Sequence, residues 1–216
     1  MPAQIDGDTM AYCLPTRAPR LVAQSLILSL AATAAFGGTM ADVSALCFDR
    51  SRDGLGIRAT LEQEGWHQAV ADRDGRYTDL ATALVLEITD EGDDLDARFA
   101  RAPQLAGNFE HMVLSGAARV YEKDAALLFV ALRPLPEGGE QVTCILGMPR
   151  NPETDALMDQ HGGAQDDAAT GLLSRRVIED DGTGTRSMRL WSRLTHEPAP
   201  TPLSDLFYME RLTPQG

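Results

Sequence analysis

Residues 21–41 carry no charge, and two arginines, Arg17 and Arg20, stand just before them. The middle of this run, LVAQSLILSLAATAAF, is rich in Leu and Ala, and small residues follow. That layout is the layout of a secretory signal: a positive lead, an apolar segment of roughly 7–15 residues and a small-residue cleavage site. A membrane-spanning helix needs about 20 predominantly apolar residues. The strongly apolar part here is shorter, and Gln24, Ser25, Ser29 and Thr33 interrupt it. The run therefore predicts a leader over residues 1–41 and one exported globular domain over residues 42–216. The cut is expected after Ala41, with Ala34 as the alternative. Asp6 and Asp8 suit no export signal, and Met10 offers a start that gives the lead an ordinary length.

The address is periplasmic or secreted, and it governs the cysteines. Cys13 leaves with the leader, while Cys47 and Cys144 remain. In an oxidising compartment such a pair reads as a disulfide. Closing a loop of that length is worth up to about 4–5 kcal/mol by the chain-entropy argument. Lipid attachment at Cys47 is disfavoured, because Leu46 stands where lipoprotein processing wants a small residue.

The net charge is −13, and removing the leader leaves it unchanged, since two arginines and two aspartates go together. A chain this acidic repels nucleic acid and anionic membrane surfaces. Once the leader is cut, no membrane contact is expected either. Lys123 is the only lysine. It is accordingly the only side chain able to form a Schiff base, because arginine cannot.

Hydrophobic patterning predicts helices first and strands second. Ile57 and Leu61 share a helical face that stops at Gly65. A short strand is expected over 66–70. Leu80, Leu84 and Ile88 form a second helical face, although ALVLEIT within it also reads as a strand. Leu95 and Phe99 mark a short helix, and Leu105, Phe109 and Met112 another. Strands are expected over 119–122, 126–133 and 141–148, the second an almost continuous apolar run. Asn151-Pro152 opens a short helix that ends near His161-Gly162-Gly163. Residues 172–179 and 186–194 flank the turn DDGTG and form the clearest hairpin. A last strand or helix covers 203–212. The fold class is α+β: an antiparallel sheet of about five strands mostly in the C-terminal half, with helices from the N-terminal half packed on one face.

Chemical motifs are sparse. His67, His111, His161 and His196 form no HExxH, no HxH and no zinc-type cluster with cysteine. Ser115 lacks the first glycine of a nucleophile elbow, and Gly54-Leu55-Gly56 lacks the rest of a phosphate loop. The stretch Asp72-Arg73-Asp74-Gly75 misses the calcium-loop register, and Asp90–Asp96 reads as a solvated loop whose acids favour the next helix N-terminus, with a weak divalent-ion site as the alternative. No catalytic residue, cofactor or metal site is assigned. The one local contrast is an arginine-rich hairpin, in which Arg189, Trp191 and Arg193 alternate onto one strand face. Forked hydrogen bonds and stacking on such a face suit a small anionic ligand or an acidic protein. The competing reading pairs these arginines with the protein's own surplus acids. The sequence therefore predicts an exported binding or accessory protein. The alternatives are a hydrolase with dispersed site residues, with His67 or His111 as its histidine, or a membrane-anchored envelope protein.

Overall fold

The computed structural model describes residues 39–49, 54–69, 72, 74–88, 94–167, 171–182, 184–196 and 198–214. These lie within one unit, Gly38–Gly216. Nearly all of the apolar leader thus falls outside the described residues. So do Asp90, Glu91 and Asp93 of the acidic stretch.

The elements run in this order: α1 (Thr39–Phe48), α2 (Gly54–Gln63), β1 (His67–Ala69), α3 (Arg76–Ile88), α4 (Leu95–Phe99), α5 (Ala102–Leu114), β2 (Ala118–Lys123), β3 (Ala126–Pro134), β4 (Gly139–Met148), α6 (Pro152–Gln160), β5 (Gln165–Asp167), β6 (Leu172–Asp180), β7 (Arg186–Leu194) and β8 (Asp205–Pro214). The strands form one eight-stranded sheet in the order β1-β2-β3-β4-β8-β7-β6-β5. All seven neighbouring pairs are antiparallel.

The expected mixture of helices and antiparallel sheet is present, with three corrections. The sheet has eight strands and not about five, because the short strands β1 and β5 extend it at its ends. The helices cover both faces and not one. Strand alternation explains this. On β3, Leu128 and Val130 join one core, with Met40, Val43 and Leu46 of α1, Ile57 and Leu61 of α2, and Met158 of α6. Leu127, Phe129 and Ala131 join the other core, with Leu80 and Leu84 of α3 and Ala106 and Phe109 of α5. Because α6 lies between β4 and β5, the helices are not confined to the N-terminal half either.

Local chemistry sets several boundaries. Asp94 accepts the Ala97 N–H and caps α4. Pro103 sits in the first turn of α5, where its missing N–H costs nothing. Ser115 ends that helix, and Gly116 follows at φ +79°. ALVLEIT resolves as helix: Ala83, Leu84, Val85 and Leu86 are all buried on α3. A helix covered on every side loses its polar stripe. Gly147 lets α3 approach β4, since a Cβ there would lie 2.7 Å from the Leu80 Cδ1.

Cys47 on α1 and Cys144 on β4 form a disulfide across 97 positions of sequence. Both cysteines are buried in the core beneath α1.

Candidate functional site

Arg189, Trp191 and Arg193 do share one face of β7, as alternation requires, but that face points inward. Trp191 is 1% exposed and Arg193 2% exposed. The Trp191 indole lies in a stack, 4.6 Å from the His161 ring and 5.1 Å from the Phe207 ring by centroid. Arg189 is half-buried, with its guanidinium 4.5 Å over the Phe48 ring and 3.4 Å from Glu179. The expected contact surface is therefore corrected to a core-lining one. Both faces of the sheet are covered at β7, and the surplus acids of this chain sit close enough to hold the arginines internally.

Arg193 is the centre of the most completely built polar cluster. It faces Asp205, the first residue of β8, across the strand ladder. Its Nε donates to Asp205 Oδ1 at 2.7 Å and its Nη2 to Oδ2 at 2.7 Å, a forked pair. Nη2 also donates to the Asn151 carbonyl at 2.6 Å, and Nη1 pairs with Asp155. Asp205 is fully buried. Besides Arg193, it accepts the Asn151 N–H at 2.7 Å and the Thr154 hydroxyl at 2.6 Å. Asn151, Thr154 and Asp155 all belong to the first turn of α6 or its cap. Hydrogen bonds to Asp205 raise the Arg193 pKa above its ordinary value, so the guanidinium stays charged. The sequence reading missed Asp205. Its only signal was a lone acid opening the apolar run LFYM.

This cluster fastens α6 to the sheet, and α6 in turn holds α1. Glu153 accepts the Met40 N–H at 3.1 Å and the Ala41 N–H at 2.8 Å, capping α1 with a side chain from another helix. Helix α1 is thus fixed at its start by Glu153 and near its end by the disulfide.

The other candidates are held apart. His67 lies on β1, His111 on α5, His161 just after α6 and His196 just after β7. The first two are exposed, and the His196 ring meets Phe99 edge-on at 6.2 Å. Lys123 donates to the Glu64 carbonyl at 3.0 Å and lies 5.9 Å over the Trp66 ring. Asp72 accepts the Tyr77 N–H at the start of α3, a capping contact. Among the described residues, no group of three or more His, Cys, Asp or Glu could hold a metal ion. No helix among them is long and apolar enough to cross a membrane.

One buried carboxylate stands outside the Arg193 cluster. Glu87 on α3 lies 3.8 Å from Arg176 of β6. Burial pushes its carboxyl up to about 7, against the pull of Arg176 and the Ser192 hydroxyl.

The outer side of β6 is different in kind. Strand β5 pairs only with residues 172–174 of it. Among the described residues, no strand pairs with 175–180 on the side away from β7. Ile178 in that stretch is 51% exposed. An unpaired strand edge presents main-chain donors and acceptors to a partner.

No protein-family model, curated protein or solved structure matches this chain.

Proposed function

We propose that this chain is an exported binding or accessory protein of the periplasm or extracellular space. It acts by contact, through the free edge of its sheet and not through the inward arginine face. The observation that supports this reading is the Cys47–Cys144 bond, formed by two buried side chains in the heart of the fold. Such bonds persist in oxidising compartments and are rare in reducing ones. The uncharged run at 21–41 supplies the matching address.

The same reading moves the processing point. A cut after Ala41 would remove Met40, which is fully buried, and two residues of α1. It would also remove both amides that Glu153 caps. A cut after Ala34, where Ala32 and Ala34 supply small residues at A-x-A spacing, leaves α1 whole.

Two experiments test the proposal. Residues 1–38 fused to a reporter enzyme that folds only outside the cytoplasm should give an active reporter; an inactive one overturns the export reading. A photo-crosslinker placed at position 178 in the native compartment should capture a partner. Absence of any adduct there overturns the contact-edge reading.

A further inference from the structure

We infer that the free edge of β6 binds a second copy of this chain, so that two sheets join edge to edge about a two-fold axis. The inference rests on the contact-edge reading above and names the occupant.

Main-chain bonding to β7 decides which groups of β6 face outward. Thr195 N–H donates to the Gly171 carbonyl, and Asp181 N–H donates to the Thr185 carbonyl. The β6–β7 register is unbroken between those points. Bonding alternates along an antiparallel strand. Odd-numbered residues of β6 therefore bond to β7, and even-numbered residues turn their N–H and C=O to the outer edge. Ser174 is taken up by Gln165 of β5. Arg176, Ile178 and Asp180 are the outward-facing positions left free of β5.

A two-fold axis makes an isologous contact, in which residue i meets j and j meets i. Antiparallel pairing must also match outward positions with outward positions. The register that uses only the free positions centres on Ile178. It sets Ile178 against Ile178 of the other copy, and Arg176 against Asp180 on both sides of the axis. A shift of two residues would call on Ser174, which β5 already pairs, or in the other direction on Gly182, whose N–H donates to Asp180.

This register is chemically self-complementary. Opposite charges directly across an antiparallel pair stabilise it, and like charges destabilise it. Here both outer pairs are Arg–Asp. The central pair buries Ile178, one of three large apolar side chains exposed among the described residues. Charged side chains blunt an edge against pairing, and four of the six residues of RRVIED (175–180) are charged; in this register those that meet at the edge are of opposite sign, and neither a proline nor a bulge in the β6–β7 register interrupts the stretch.

The test is sedimentation of the matured chain across a concentration series. The expected result is a monomer–dimer equilibrium. Ile178→Pro should abolish it while leaving the fold intact, because the Ile178 N–H points away from β7. Asp180→Arg should weaken association roughly tenfold, since it places Arg against Arg twice. The double exchange Arg176→Asp with Asp180→Arg should restore the dimer in a Glu87→Gln background, used for every variant of the series because Arg176 also faces Glu87. Circular dichroism and melting of each variant separate loss of pairing from loss of fold. A chain that stays monomeric throughout overturns the inference, as does a dimer indifferent to Ile178→Pro or not restored by the double exchange. If the crosslinker at 178 captures a different protein and never a second copy, self-pairing fails while the contact-edge reading stands.

Discussion

Replacing Arg193 by Met removes the guanidinium from the centre of the α6 latch. Asp205 keeps the Asn151 N–H and the Thr154 hydroxyl, but its charge is left buried without a counter-charge. Breaking a buried pair in this way costs about 3–5 kcal/mol. That is a large part of a stability that for single domains totals about 5–15 kcal/mol. Asp205→Leu should cost a similar amount, because it deprives Arg193 of its fork and leaves two α6 donors unpaired. In the double variant Arg193→Met/Asp205→Leu no buried charge remains. Its cost should fall short of the sum of the singles by about 2–3 kcal/mol, the coupling expected of residues in one network. Urea unfolding at neutral pH with the disulfide intact measures all three. Trp191 emission gives a second readout, since loosening α6 withdraws His161 from the indole stack. An Arg193→Met cost below about 1 kcal/mol, or additive singles, would show that the cluster is not a buried coupled latch.

Other outcomes follow from the same structure. Glu87 is raised from its ordinary value to about 7, so the folded chain holds a proton there that the unfolded chain releases. Its contribution therefore favours the fold at low pH and fades as pH rises from about 4.5 to about 7, by up to about 3 kcal/mol. Glu87→Gln should accordingly raise stability relative to the parent more at pH 8 than at pH 5; an equal effect at both would refute it. Reducing Cys47–Cys144, or replacing both by Ala, should lower stability by about 2–5 kcal/mol in urea titrations, and an unchanged midpoint would count against the bond. Gly147→Ala should cost about 1–3 kcal/mol by thermal melting, since the added methyl meets Leu80 and Leu203.

Elements with local chemical punctuation were legible in the sequence. Asn151-Pro152 announces α6, and Asn151 does accept the Glu153 N–H. Asp181-Gly182 and Gly184 announce the β6–β7 turn, and both glycines take positive φ there. Elements defined by tertiary coverage were not. Residues 83–86 of helix α3 are buried without a polar break, so ALVLEIT reads equally as a strand. Helix α1 continues directly from an uncharged run and looked like the end of a leader; only Glu153, far away in sequence, marks where it begins.

The arginine face shows the same limit at the candidate site. Alternation correctly placed Arg189, Trp191 and Arg193 together. It carries no sign for inward or outward, and the answer lay in Asp205 and Asp155, which no local pattern links to β7. The almost continuous apolar run of β3 did carry a signal for helices on both faces. A one-faced sheet leaves alternate positions polar, and residues 126–131 leave none.

Export followed by closure of the Cys47–Cys144 bond is the proposal on which the rest depends. The most direct test is the intact mass of the protein recovered from its native compartment, before and after reduction. The expected product begins at Ala35 and is lighter by two hydrogens than its reduced form. A chain still beginning at Met1 or Met10, with Cys47 and Cys144 as free thiols, would contradict this.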